Sequence, residues 1–500
     1  MTNKAIRQGP GATQSQGRGS FEAGTVSERH SRIQTLAEPP QNFKKAVTSR
    51  LFPVGKYEFR EPDYQQVLVW AKALDLEPVE VLRRIEEGHS DDSYEWTPAL
   101  RVENGAILSL TWDFDLLPLA VFQWVDDLLI RHLIFKGSPA VPPSLSLRLP
   151  RLDYLSCVSL KLTELDISFF PGLTHLYCGG NLLTEIDLSN SAALTELCCD
   201  GNLLTKLDLS NVPRLSGLNC DRNQLAKLDV SNVEALQSLS CGGNALTELD
   251  LSSVPGLTEL RCDNNHIATL NLSNVGWLRT LGCSGNPLKE LDLSNVSGLD
   301  FLSCQDGNLD QLDLFNLHAL TYLFCDGNRL TSLNLSGVPR LTHLVCHDNA
   351  LTQLDLTYVP KLAQLSCGEN ALTQLDLSGI PKLAQLYCGG NPLTALDLTN
   401  VPHLTHLHCY RNRLATLDLS QVPGLETVCC SENQITKLEL YGIPKLEDLW
   451  CEGNQLAELD VRPLTRLQDL NCDRAVVLQR DTGQKFKLGH GSSFEERSVS

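Results

Sequence analysis

Sixteen cysteines, Cys157, Cys178, Cys199 and so on to Cys472, stand 21 residues apart without one insertion. One inserted residue would break that register, so the chain is expected to stack equivalent units that each contact only their neighbours. Aligned on cysteine, the unit reads L-x-x-L-x-C-x-x-N-x-L-T-x-L-D-L-S-x-x-P-x. In such a stack every phase of the repeat forms a ladder with rungs about 4.8 Å apart, so each residue type must tolerate a copy of itself above and below.

The phases are read in that light. Leu173, Leu176, Leu183, Ile186 and Leu188, with their equivalents, are expected to point inward and fill each coil. Asn181 and its equivalents follow the cysteine by three residues, where the chain turns; an amide has donors and an acceptor and can satisfy backbone groups of its own and adjacent coils. The Cys304 unit, "CQDGNLDQL", has Gly307 at that phase and Asn308 one residue late, so a local distortion is expected. Asp187 and its equivalents would repel if stacked bare, so they are expected to be solvated and hydrogen-bonded rather than to hold calcium, which needs six to eight convergent oxygens. Ser189 and its equivalents, with a proline such as Pro213 three residues after Ser210, are read as hydroxyls capping a short turn.

Three readings compete for the cysteines. Disulfides fit the rung spacing poorly in torsion, because in-register side chains on parallel strands project side by side. Metal clusters need convergent ligands, which a straight ladder lacks. The remaining reading is that the thiols are small, polarisable core residues beneath the first strand. Cys198 and Cys429 sit one residue out of the ladder and are expected to be exposed thiols on the strand's outer face.

Period and consensus are those of a leucine-rich repeat. The fold class expected is an α/β solenoid, mainly β: a right-handed coil with a parallel concave β-sheet, short convex strands and a small helical N-terminal cap. Residues 1–48 lack any hydrophobic period and are read as a disordered N-terminal segment. Residues 49–99 form the helical cap, with helical apolar spacing on either side of Pro78, and 100–149 hold degenerate first repeats. The array spans 150–474; residues 475–488, with β-prone runs around Asp481-Thr482-Gly483, are read as a capping hairpin, and 489–500 as a polar tail.

The phrase "LTxLDLS", with Cys and Asn in the preceding strand and turn, resembles the bacterial 21-residue cysteine-ladder leucine-rich repeats of the internalin-J-like family. The resemblance covers about 325 of the 500 residues. It implies a solenoid that binds without catalysis, so no enzyme activity and no cofactor are expected. Net charge is −19 with a pI near 5.1, against nucleic-acid binding. The first 20 residues have no apolar core of signal-peptide kind, and no stretch reaches membrane-spanning length. The expectation is a monomer that is cytoplasmic, or exported without a cleaved signal peptide, with a protein partner and no membrane insertion.

Partners are expected on the concave face, at the variable residues three and one before, and one and two after, each cysteine. Phe301, Tyr322, Phe324, His343 and His347 lie on three adjacent coils; Tyr387, His406, His408, Tyr410 and Trp450 form a second group. Exposed aromatics on a sheet are common interface anchors; the competing reading is that they pack across strands and shield backbone without a ligand. Zinc is not expected, since His343 stands three coils from His406, about 14 Å by strand spacing. The leading reading is a protein-interaction scaffold, an effector or adaptor; the alternative is an adhesin-like protein that stacks carbohydrate on the same rings.

Overall fold

A computed structural model describes residues 51–87, 99–117, 127–139 and 148–489. The expected N-terminal tail and nearly all of the C-terminal tail lie outside these residues. The first elements are two short antiparallel strands, β1 (Phe52–Val54) and β2 (Tyr57–Phe59), joined across Gly55 at φ +60°. Helix α1 (Glu61–Leu74) follows, with a proline at its start and Asp75 in the left-handed region at its end, then α2 (Pro78–Glu87), which begins at the proline. Proline suits the first turn because that N–H has no helical partner.

The cap is fastened to the repeats from inside. Trp70 packs edge-on against Trp112 at 5.1 Å between ring centroids, and Val67, Val81 and Ile85 are buried with them. Asp63, fully buried, accepts hydrogen bonds from the backbone N–H of Ile107 at 2.9 Å and from Arg60 Nε at 2.9 Å. Burial pushes the Asp63 carboxyl up, and the Ile107 and Arg60 donors oppose that shift. A buried carboxylate so held fixes the helices against the strand that carries Ile107.

That strand, β4 (Ala106–Asp113), pairs antiparallel with β3 (Leu100–Glu103) on one side and parallel with β5 (His132–Lys136) on the other. From β5 onward every pairing in the main sheet is parallel. Ser109 lies opposite His132, and His132 opposite Tyr154 of β6 (Tyr154–Ser156), before the constant 21-residue offset begins with Tyr154 opposite His175. Each later unit adds a three-residue strand directly before its ladder cysteine, through Asp448–Trp450 and Asp469–Asn471. Lys487–Leu488 ends the sheet, and no pairing joins it back to β3, so the sheet is open.

The inward ladders are as the periodicity requires: the leucines and all sixteen in-register cysteines are buried. Every cysteine is a free thiol. Stacked asparagines connect the coils. Asn202 Nδ2 donates to the carbonyls of Cys178 and Cys199, both at 3.0 Å, while its Oδ1 accepts from Leu183 N–H at 3.0 Å. The pattern repeats from Asn181 to Asn286 and again from Asn328 to Asn454. At Gly307 the rung is missing, and Leu288 N–H turns to the carbonyl of Asn286 at 2.8 Å in its own coil. The distortion stops there: Gly282 stays opposite Ser303, and Ser303 opposite Phe324.

Four expectations are corrected. The convex L-x-L segments are not strands, with the one exception among the described residues of Glu458–Asp460, which pairs in parallel with Val477–Gln479. Their aspartates instead fold back on the chain: Asp187 Oδ1 accepts from Ser189 N–H at 2.9 Å, and the same bond recurs at Asp208, Asp229, Asp250 and onward. The cap of this turn is thus the aspartate, not the serine hydroxyl, and the Ser189 donors hold the Asp187 carboxyl below its ordinary range. The expected C-terminal hairpin is absent, because Val477–Gln479 and Lys487–Leu488 pair with the preceding coil rather than with each other and make an abbreviated last coil. Finally, the second residue after each ladder cysteine except Cys472 is a turn residue in the left-handed region, Gly in seven coils such as Gly180 and Gly243, and Arg222, Asn264 or Glu369 in others. The fold therefore constrains that phase, which the sequence reading treated as free. Among the described residues no helix is long and apolar enough to cross a membrane.

Replacing Asn202 by Ala removes the acceptor for a buried N–H and two donors to buried carbonyls. We expect a loss of about 2–4 kcal/mol in urea unfolding; Thr205→Ala, exposed on the same coil, is expected to cost less. Equal losses at the two sites would contradict the role given to the amide ladder.

Candidate functional site

The main sheet leaves one face open, lined by the residues three and one before each cysteine and the residue one after it. Successive side chains on a strand alternate, so these three share a face while the leucine and cysteine between them point inward. Phe301, Tyr322, Phe324, His343, His347, Tyr387, His406, His408, Tyr410 and Trp450 all lie on it, each half-buried.

Their rings meet in two groups. In the first, Phe301 lies 5.5 Å from Phe324 and 6.2 Å from Tyr322, and Tyr322 stacks on His343 at 4.6 Å with 20° between planes. His347 Nε2 lies 3.3 Å from a carboxylate oxygen of Asp326. In the second, Tyr387 and His408 are 4.9 Å apart, and His408 reaches Trp450 at 6.2 Å. The strand of Cys429 lies between those of His408 and Trp450, so the two rings lean together across the small cysteine side chain. His406 and Tyr410 flank His408 on its own strand. Burial, then His406, pushes the His408 imidazole below its ordinary pKa, so it is neutral at pH 7.

A third group was missed in the sequence. Tyr154 lies 5.3 Å from Tyr177 and 5.9 Å from both His132 and His175. The signal was present, because Tyr154, His175 and Tyr177 occupy the same phases before Cys157 and Cys178 as the rings already chosen.

Between the first and third groups the face is acidic. Asp221 accepts from Ser240 Oγ at 2.8 Å and from Gly242 N–H at 2.6 Å; Asp263 accepts from Ser284 N–H at 2.8 Å. Burial is the main cause pushing both carboxyls above their ordinary range, and these donors pull the other way. Among the described residues no group of three His, Cys, Asp or Glu side chains is arranged to hold a metal ion.

The out-of-ladder thiols need a correction. Cys198 and Cys429 stand on the open face as expected, but both are half-buried rather than exposed. Burial, helped by Asp200, pushes the Cys198 thiol up to about 12, and burial also raises Cys429. Neither is activated as a nucleophile. In the ladder, burial pushes Cys157, Cys304, Cys346 and Cys388 up to about 12 as well. Cys472 alone is lowered, by a hydrogen bond from Cys451.

A stack of 21-residue coils with cysteine and asparagine ladders and a mainly parallel sheet, open on one face and carrying rings there, defines a leucine-rich repeat protein. The chain belongs to the cysteine-ladder leucine-rich repeat family. It is 36% identical to the functional domain of InlJ from Listeria monocytogenes over 66% of this chain and 69% of that one, with a TM-score of 0.56. The fold is shared at lower identity by a leucine-rich repeat protein of Leptospira interrogans, 21% identical over 74% of this chain and 90% of that one, TM-score 0.55. It is shared too by YopM from Yersinia enterocolitica, 20% identical over 87% and 98%, TM-score 0.55. No protein-family model matches the sequence, and no curated protein does.

Two outcomes follow from the ionisation states. In the native protein near pH 8 the thiols are expected to react with Ellman's reagent at least about 100-fold more slowly than free cysteine, Cys472 first, with all eighteen released on unfolding; a fast native phase from many thiols would overturn the buried ladder. For Asp221 and Asp263 the folded pKa lies above the unfolded one, so the folded state binds more protons between the two and stability falls as pH rises through that window, from about 4 upward. The double variant Asp221→Asn with Asp263→Asn is therefore expected to flatten that part of the urea-midpoint profile; an unchanged slope would count against the burial of these carboxylates.

Proposed function

We propose that this protein is a non-catalytic scaffold that takes one protein partner on the open sheet face, across the Phe301–His343 and Tyr387–Trp450 rings. The supporting observation is the contact between rings on an uncovered sheet: large, stiff, half-buried side chains supply contact area at low entropic cost, which is what binding anchors require. The rest of the repeat is occupied by ladders that hold the coils together, which leaves this face as the place where the sequence varies. An adaptor and an exported effector both work through such a surface, and the reading covers either setting. The acidic stretch between the ring groups and the net charge of −19 favour a partner with basic surface.

The test is an affinity capture with wild type and with Phe324→Ala, Tyr387→Ala and Trp450→Ala combined. Loss of the partners that wild type recovers, at unchanged thermal midpoint, is the expected result. Recovery of the same partners in the same amount would remove the sheet face from consideration.

A further inference from the structure

Near the C-terminal end of the sheet the ring cluster meets carboxylates. Asp448, Trp450 and Glu452 alternate along one stretch of chain and so share the open face, with Asp469 in register beside Asp448 on the next strand. Tyr387 and His408 continue the row of rings from Trp450 across Cys429. Glu452 Oε2 and Asp469 Oδ1 are both shielded from solvent and accept no hydrogen bond among the described residues. Their neighbours are not otherwise bare: Glu447 accepts from Gln468 Nε2 at 2.8 Å, and Arg411 is engaged with Glu432 at 2.9 Å. Lys487 lies in register with Asp469 on the last strand, exposed, and no ion pair joins the two.

Resting on the proposed function above, we infer that this end of the sheet face is a docking site for a cationic side chain, arginine or lysine, carried by the protein partner. Ring faces attract a cation through their negative quadrupole. Asp448, Glu452 and Asp469 are half-buried on this face, and a guanidinium or ammonium group pairs with their carboxylates. Neither feature suits an anion or a bare aliphatic chain: three carboxylates repel the first and would be desolvated by the second. The neutral imidazole of His408 adds a ring without adding an opposing charge. Burial, with Asp469 and Glu447 next, pushes the Asp448 carboxyl up, and an arriving cation relieves that mutual repulsion. The Phe301–His343 rings lack such a set of unpartnered carboxylates, so the two ring groups differ in what they accept: the first takes apolar groups, the second a charged one.

The probe is a labelled Gly/Ser peptide bearing two arginines, compared with the same peptide bearing citrulline, which keeps shape and removes charge. Expected are at least about 10-fold weaker binding of the citrulline peptide, and a similar loss for Trp450→Ala and for Asp448→Asn with Asp469→Asn. Glu248→Gln with Glu290→Gln, exposed and away from the site, removes the same charge and is expected to change nothing. No binding of the arginine peptide at millimolar concentration, equal affinity for the two peptides, or equal loss in the Glu248 and Glu290 control would overturn the inference. Should the triple ring variant abolish partner capture while the aspartate variant and citrulline have no effect, the cation site falls and the sheet face stands. Should capture survive the triple variant, the sheet-face reading itself falls.

Discussion

Everything else in this molecule depends on the asparagine amide. The leucines and cysteines supply burial, but burial alone tolerates sliding of one coil against the next, since a leucine meets a leucine at many offsets. The amide does not. Its oxygen and nitrogen reach backbone groups on two coils at once, and only the 21-residue offset brings donor and acceptor together, as at Asn202 between Leu183, Cys178 and Cys199. Buried backbone groups without such partners would each cost about 1–3 kcal/mol. Register is therefore set by polar satisfaction and strengthened by packing, and the invariance of the period follows.

Cysteine fits the same logic from the apolar side. Beneath a strand only three residues long, the thiol fills the small space beside the stacked leucines and stacks on its own copies. The two cysteines outside the ladder show the difference made by one residue of phase. Cys429 has left the core for the face, and its small side chain is what lets His408 and Trp450 meet over it.

How much of this was legible follows from how each feature is encoded. The array, the inward leucines, the buried thiols and the amide rungs are properties of a repeated phase, and a phase that recurs sixteen times is read with ease. Both main ring groups were visible because Tyr322, Tyr387 and Trp450 break a pattern. Tyr154, His175 and Tyr177 obey the same rule but stand at the irregular start of the array, where the eye loses register. Other features are not written in phase at all. Whether "LDL" forms a strand depends on the distance between coils on that side, and Asp187 gains more from the Ser189 N–H of its own turn than a neighbouring coil offers. The left-handed residue after "C-x" hides because Gly, Asn, Asp, Arg and Glu all appear there, each accepting some strain for the turn. The final coil was misread as a hairpin because Asp481-Thr482-Gly483 is a good hairpin turn locally, while the preceding coil offers both runs open edges at once.

The missing rung at Gly307 has a wider consequence. In a linear stack the strength of the whole is the sum of each unit and its two interfaces. The interface between the Cys283 and Cys304 coils keeps its sheet bonds and loses the amide cross-link, so the array is two amide-tied blocks, Asn181 to Asn286 and Asn328 to Asn454, joined at a seam. Phe301 sits on the strand just past that seam. A partner gripping both the acidic stretch and the first ring cluster would bridge the two blocks and act as the absent rung, so that occupancy of the face and mechanical continuity of the stack become one quantity.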